Sequence, residues 1–159
     1  MQYFIIEEIT GEMIMKIPQY VTVYEVKRVC KELGLKDWMK IKKPNVSEKE
    51  ARVILKIVNV KKMPIALEDF RVGLEVELEH GTMFDDANVT NNHPLLTGMI
   101  VLAHMKETLD YYQRLDVAEI EGDLLKAVLA KDLNKILVKY KKLIKAQAAL
   151  NKVVLVQAK

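Results

Sequence analysis

Apolar side chains recur at helical spacing over most of the chain, and this pattern predicts a mainly α-helical fold. Thr22 and Glu25 have the spacing of a capping box before the first predicted helix, and Ser47 and Glu50 repeat it before the second. These two short helices make up residues 22–62. The link between them is longer than the tight turn of a helix-turn-helix DNA-binding motif, which disfavours that alternative.

The start of the chain has the pattern of a β-hairpin. Two apolar runs, Tyr3 to Ile9 and Met13 to Ile17, flank a Thr-Gly-Glu turn, and Pro18 ends the second run. We therefore expect a small two-stranded hairpin within residues 1–20. Because an isolated hairpin is barely stable in water, it should pack on the helices that follow.

Two longer helices are predicted in the middle of the chain. The third should run from about Leu67 to His80, since Gly81 is a typical C-terminal stop. The fourth, from about Leu95 to Asp116, is apolar most of the way round and therefore belongs in the middle of a helical bundle. Together they form a helix pair over residues 63–117.

The last part of the chain predicts one long helix over residues 118–152. Its apolar positions alternate spacings of four and three, which is typical of a surface that packs on another helix. They are Leu129, Leu133, Ile136, Tyr140, Leu143 and Leu150, and the polar Gln147 occupies one position of the same series. This surface would either close the protein's own bundle or join copies into an oligomer, and we favour the oligomer. The tail from Val153 to Val156 has the pattern of a short strand that would pair with the hairpin or a neighbouring subunit.

The 159 residues are enough for one domain with a sizeable core, so residues 1–159 are interpreted as a single domain. Half of them are hydrophobic and 30% are charged, a composition that excludes a disordered or membrane-spanning class. The first residues lack the pattern of a signal peptide. We therefore expect a cytoplasmic location, without secretion by a signal peptide, and no membrane partner. The single cysteine, Cys30, is predicted to be a buried structural thiol.

Charge is distributed unevenly along the chain. The net charge is only +3, but from residue 126 onward nine lysines accompany a single acidic residue, Asp132. Residues 68–86 are instead rich in Asp and Glu. The interpretation that we favour is a solvated lysine face on a helix. Alternatively, such a basic end could meet an acidic protein partner, another copy of the chain, or nucleic acid.

The candidate chemistry consists of two pairs, Glu77 with His80 and His104 with Glu107, on the third and fourth helices. In each pair the three-residue spacing puts both side chains on one helical face, as in carboxylate and histidine metal sites of helical bundles. A mononuclear zinc or iron site is one hypothesis, with His93 as an additional ligand. The other, which we favour, is a buried hydrogen-bond network without metal that locks the loop onto the helices. No set of nucleophile, base and orienting group appears, so we expect no enzyme activity.

Several short motifs together carry a family resemblance. They are residues 77–81 (ELEHG), 88–90 (NVT), 94–98 (PLLTG), 102–107 (LAHMKE) and 110–115 (DYYQRL). In order and spacing this middle third of the chain resembles the domain of unknown function 5661, a family of bacterial and bacteriophage genomes. The resemblance implies a helical module with no assigned reaction, and it suggests a bacteriophage origin.

These observations favour a non-enzymatic structural or assembly protein, virion-associated in a bacteriophage, that acts through protein–protein contacts and forms a homo-oligomer or larger assembly. A metal-binding helical protein and a nucleic-acid-binding protein with a lysine-rich C-terminal helix are the alternatives.

Overall fold

The computed structural model describes residues 20–157 and, as backbone only, residues 7–9 and 12–14. In these ranges the protein is mainly helical, which confirms the predicted class. The helices are α1 (Val23–Glu32), α2 (Glu48–Val58), α3 (Leu67–Met83), α4 (Pro94–Glu107), α5 (Tyr111–Leu129) and α6 (Leu133–Gln157). Single 3-10 turns occur at Trp38–Lys40 and Asp85–Ala87.

The N-terminal segment contains a short antiparallel ladder. Strand β1 (Glu7–Ile9) pairs with β2 (Glu12–Ile14), with Glu8 opposite Met13. The rest of the hairpin predicted over residues 1–20 lies outside the described residues. A larger hairpin packed on the helices therefore stays a prediction.

The starts of α1 and α2 follow from their capping residues. The Thr22 hydroxyl accepts a hydrogen bond from the Glu25 amide, and Ser47 and Glu50 form the complete reciprocal capping box. The buried Glu50 carboxylate also accepts a bond of 3.3 Å from the Trp38 indole. Burial by itself would raise the pKa of Glu50, yet the bonds from Ser47 and Trp38 hold that pKa below its usual value.

The hydrophobic core lies between α1, α2, α3 and α4, with the first turn of α5 completing it. Its fully buried members are Val26, Cys30, Trp38, Val46, Ala51, Ile54, Phe70, Leu74, Leu78, Val101, Met105 and Tyr112. Cys30 is 2% exposed, and burial raises the pKa of its thiol. Its predicted place as a buried thiol is confirmed.

Helix α3 does not stop at Gly81 as predicted but continues to Met83. Gly81 is buried in the helix because the following polar loop lies directly on it. A Cβ atom at this position would be 2.0 Å from the Asn92 side-chain oxygen, and the Asn88 amide donates to the Gly81 carbonyl at 2.9 Å. The glycine permits a close approach of the loop and does not end the helix.

The prediction of one fourth helix from Leu95 to Asp116 is wrong, because the helix ends at Glu107 and a new helix begins at Tyr111. Thr108 is extended, with φ −159° and ψ 141°. Asp110 is fully buried and accepts hydrogen bonds from the Thr108 hydroxyl and from Arg114, the latter at 2.9 and 2.8 Å. These bonds fix the turn between α4 and α5.

The single C-terminal helix predicted over residues 118–152 is also two helices. Lys131 adopts a positive φ of 54°, and the Asp132 carboxylate accepts from the Lys135 amide at 3.0 Å, as an N-cap does. Helix α6 then includes Val153–Val156, so the predicted terminal strand is wrong. An extra turn of helix satisfies its own backbone groups, whereas a strand would need a partner.

The chain thus has two parts with different packing. Residues 20–118, which we call the body, contain the core. Residues 119–157, which we call the arm, form a hairpin of the end of α5 and all of α6. The two arm helices pack on each other, while α6 makes at most marginal contact with any other described element.

In the part of the chain that the structure describes, none of the helices has the length and apolar character needed to cross a membrane.

Candidate functional site: a glutamate, histidine and tyrosine cluster

Three helices contribute polar side chains to one shared position beside the core. The Tyr112 hydroxyl of α5 donates to Glu77 Oε1 of α3 at 2.9 Å. His104 of α4 places Nδ1 3.2 Å from the same Glu77 oxygen and 3.2 Å from the Tyr112 oxygen. Glu77 is thereby the shared acceptor that joins α3, α4 and α5.

The bonding pattern fixes the protonated nitrogen of His104. An ionised carboxylate only accepts, and the single tyrosine proton is already directed at Glu77. Both neighbours of His104 Nδ1 therefore need a donor, so Nδ1 must carry a proton. Nδ1 is thus a donor whether the ring is neutral or charged, and the carboxylate holds it in one orientation.

A second tyrosine completes what we call the polar cluster: Glu77, His104, Tyr111 and Tyr112. The Tyr111 ring stacks on the His104 imidazole with centroids 4.3 Å apart and planes within 11°. Tyr111 and Tyr112 meet edge to face at 5.3 Å. The imidazole is therefore held on one face by a ring and at one nitrogen by a carboxylate.

Gly73 explains how Tyr112 enters this position. A Cβ atom on Gly73 would be 2.5 Å from the Tyr112 ring and 2.7 Å from a Val101 methyl. Only glycine leaves room for the ring between α3 and α4. A glycine within a helix often permits the close approach of another backbone, but the group that comes close to Gly73 is an aromatic side chain.

Tyr112 is 4% exposed and keeps its proton. Burial raises the pKa of its hydroxyl far above the usual value, and the negative charge of Glu77 together with its hydrogen bond adds to the shift. The hydroxyl is consequently a permanent donor to Glu77 at any physiological pH.

The structure brings together only part of the predicted four-residue site. His80 Nδ1 is 3.9 Å from Glu77 Oε2, and its side chain is 53% exposed, so it lies at the edge of the cluster. Glu107 is exposed in the last turn of α4, and no hydrogen bond or ion pair joins it to another described residue. The expectation that Glu107 projects into the protein is wrong, because the chain leaves the helix directly after it.

His93 is used elsewhere. It caps α4, its Nδ1 accepting from the Leu96 amide at 3.4 Å, and burial lowers its pKa. It stands eleven residues before His104 on the same helix, about 16 Å along the axis at the usual helical rise. His93 therefore does not supply a further ligand to the polar cluster.

The arrangement has the chemistry of a structural network more than of a metal centre. In residues 20–157 no group of three or more His, Cys, Asp or Glu side chains is placed to hold a metal ion. The atoms of Glu77 and His104 that face each other are already engaged. What the cluster does is tie three helices together at a half-buried position.

Tyr111 and Tyr112 are the members of the cluster that the sequence analysis does not reveal, and Tyr112 is the one that bonds to Glu77. It reads as one more apolar position of a continuous helix. Its signal is the polar end of a buried tyrosine, which needs a hydrogen-bond partner. The turn that orients Tyr112 can also be recognised in the sequence. Asp110 is followed four residues later by Arg114, and such a pair is common at the start of a helix.

The comparisons with known proteins give a match to the middle of the chain, where the sequence motifs that carry the resemblance also lie. Residues 26–121 match the family model described as protein of unknown function (DUF5661). The chain belongs to the DUF5661 family. No curated protein and no solved structure matches the chain significantly.

The DUF5661 match covers nearly all of the body, including the polar cluster, and almost none of the arm. All four cluster members lie inside the matched range, whereas α6 lies outside it. The family model thus describes the part of the protein that holds the core and leaves the arm as an addition.

Proposed function

We propose that this DUF5661 protein is a non-enzymatic structural or assembly protein that acts through protein–protein contacts made by its arm. The observation that carries the proposal is the exposed apolar surface of the arm. Eleven large apolar side chains of the arm are exposed, against ten in the body, which is more than twice as long. Those in the arm are Leu125, Val128, Leu129, Leu133, Leu137, Val138, Tyr140, Ile144, Val154, Leu155 and Val156.

A concentration of this kind is a feature of interaction surfaces, since monomeric proteins rarely expose contiguous apolar patches. The tip of the hairpin carries the two most exposed of these side chains. Leu129 is 74% exposed and Leu133 is 79% exposed, on either side of the turn between α5 and α6. Side chains so placed are covered most simply by another protein.

The polar cluster supports a structural task for the body. Glu77 accepts from two different helices, and its neighbours satisfy each other within the body. Such a network fixes the relative position of α3, α4 and α5 and so sets the direction in which α5 leaves the body. The polar cluster therefore holds the base of the arm in a fixed orientation relative to the body.

A bacteriophage virion component is the more specific form of the proposal. It rests on what the family resemblance implies about origin, together with an apolar arm suited to assembly contacts. A packed N-terminal hairpin would give such a component a second contact element. Mass spectrometry of purified particles from the source organism tests it: the chain should be present in stoichiometric amounts, and its absence from particles would contradict a virion role.

Site-specific photo-crosslinking in the source cell tests the assembly function. A photoreactive amino acid at Leu129 should give protein adducts of defined mass, identified by mass spectrometry. The same group at Lys49, an exposed position on α2, is the matched control and should give none. Equal labelling at both positions, or adducts at neither, would contradict the proposal.

Nucleic-acid binding is the competing function, favoured by the exposed lysines of α6, of which Lys141, Lys142 and Lys145 form no ion pair with another described residue. It predicts binding of duplex DNA that weakens steeply with salt. The zinc or iron hypothesis rests on the Glu77 and His104 contact. It predicts stoichiometric metal in elemental analysis that is lost in His104→Ala.

A further inference from the structure

Helix α6 presents two different apolar faces. Ile136, Leu143 and Leu150, spaced by seven residues, lie on the face that packs against α5, and Leu143 is 8% exposed. A second set lies beside it: Leu133, Leu137, Tyr140 and Ile144, which we call the stripe. All four stripe side chains are at least half exposed. The pairing of α5 with α6 therefore uses only one face and leaves the stripe open.

The stripe has the spacing of a helix-pairing surface. Its members follow one another at four, three and four residues, the repeat by which apolar side chains of one helix fit between those of another. Further along the same line, Leu155 is also exposed. A repeat of this kind fits a partner helix over several turns, and an isolated ligand would use only part of it.

The charges of the arm suit a partner with the same two helices. Helix α6 carries six lysines, at 135, 139, 141, 142, 145 and 152, and no carboxylate. Helix α5 carries four acidic residues, at 116, 119, 121 and 123, against Arg114 and Lys126. Within one copy Lys139 already pairs with Asp123 of α5. Two arms would repeat that pairing of signs between copies if α6 of each copy lies beside α5 of the other, whereas α6 against α6 would bring lysines together.

From this geometry we propose that the stripe is covered by the arm of a second copy of this chain, so that two hairpins join in a two-fold symmetric helical pairing. The inference rests on the proposed assembly function and names its first partner. In this two-fold contact the stripe of each copy lies against α5 of the other, where Leu125, Val128 and Leu129 are exposed.

Sedimentation of the purified full-length chain over a range of about 1–200 µM tests the pairing. The wild-type chain should sediment as a dimer whose population rises with concentration. Leu137→Lys and Ile144→Lys place a charge in the stripe, and each should weaken the dimer at least about tenfold. Tyr140→Lys provides an independent third variant. Because these positions are exposed, circular dichroism should show unchanged helix content.

Val60→Lys and Val89→Lys are the matched controls, since they are 81% and 83% exposed on the body and add the same charge. Both should dimerise as the wild-type chain does. A wild-type chain that stays monomeric, or stripe variants that pair as tightly as the controls, would overturn the inference. A monomer that crosslinks through Leu129 to a different protein would overturn only this pairing and leave the assembly function standing. A monomer that binds duplex DNA in a salt-dependent way, without protein adducts, would overturn both.

Discussion

The body and the arm are built from the same kind of amphipathic helix, yet they use their apolar residues differently. In the body, α2, α3 and α4 each turn an apolar face to the others, and twelve side chains form one buried cluster. No described residue after Leu115 belongs to that cluster or packs against it. Among the elements that the structure describes, each helix of the arm has only one substantial neighbour within the arm. A two-helix hairpin cannot cover all of its apolar side chains, and those that remain uncovered are exposed on its surface.

Apolar periodicity alone therefore identifies the apolar face of a helix but does not show whether that face is buried within the chain. The body gains stability from burial within one chain, whereas the arm has apolar surface whose burial awaits a partner. Substitutions in the two parts should therefore change different quantities: the free energy of unfolding for the body, and the association constant for the arm.

The largest expected effect comes from truncating the core. Phe70 is fully buried on α3, and Phe70→Ala should lower the free energy of unfolding by about 3–5 kcal/mol, because a cavity replaces packed ring atoms. Leu133→Ala in the arm is the matched control and should change it by less than about 0.5 kcal/mol. Urea denaturation followed by circular dichroism gives both values. Similar losses of unfolding free energy in the two variants would contradict the division into a body stabilised by its core and an arm with exposed apolar residues.

Asp110→Asn should have the next largest effect. The Arg114 guanidinium holds the pKa of Asp110 below its usual value, with a smaller contribution from the Thr108 hydroxyl, while burial opposes the shift. We expect a loss of about 1.5–3 kcal/mol at pH 7, since hydrogen bonds to a buried charge are lost. The turn between α4 and α5 also depends on these bonds.

The same variant has a defined pH dependence. A folded-state pKa that is lowered means that the carboxylate stabilises the protein fully above the unfolded pKa of about 3.9. That contribution disappears as the pH falls through the lower folded value. The difference between wild type and Asp110→Asn should therefore shrink below about pH 4, and denaturation series at pH 7, 4 and 2.5 measure it. A constant difference across the series, or one matched by the exposed-residue control Asp85→Asn, would rule out this explanation.

Tyr112→Phe should have an intermediate effect, a loss of about 1–2 kcal/mol. It keeps the ring in the space left by Gly73 but removes the donor to Glu77. Tyr140→Phe on the exposed stripe is the matched control, and its loss should be within about 0.5 kcal/mol of zero. Thermal or urea unfolding distinguishes them. Equal stability of Tyr112→Phe and wild type would show that the bond to Glu77 contributes nothing.

The smallest expected effect is that of Glu107→Ala, within about 0.5 kcal/mol of wild type, because this side chain is exposed. His104→Ala removes the stacked ring and the donor to Glu77 and should cost about 1–3 kcal/mol. The two variants sit on the same helix and can be compared in one denaturation series. A larger loss for Glu107→Ala would restore the four-residue site.

Local signals in the sequence predict much of the body correctly. The Thr22 and Ser47 caps and the start of α3 at Leu67 lie where short-range spacing places them. The caps and the helix start depend on residues within one or two helical turns of each other. The meeting of Glu77 and His104 joins two helices, and it is predicted from the two pairs that three-residue spacing places on one face of each helix.

The misses arise where a side-chain contact that spacing alone does not reveal overrides the predicted pattern. Gly81 looks like a helix stop, but the Asn92 and Asn88 side chains pack on it within the helix. Asp110 looks like a solvated helix residue until its bonds to Arg114 and Thr108 are seen. The C-terminal apolar repeat mixes two faces: Leu143 packs on α5 while Tyr140 stays exposed. One-dimensional spacing cannot separate faces that lie next to each other on a helix.

Hydrogen exchange measured at several protein concentrations is the most direct test of whether the body is buried within one chain and the arm by a second copy. It reports on the body and the arm in the same sample. The amides of α6 should become more protected as concentration rises, while those of α3 and α4 keep a constant protection. In Leu137→Lys the protection of α6 should no longer depend on concentration. Protection of α6 that is independent of concentration in the wild-type chain, or that rises equally in body and arm, would contradict the account.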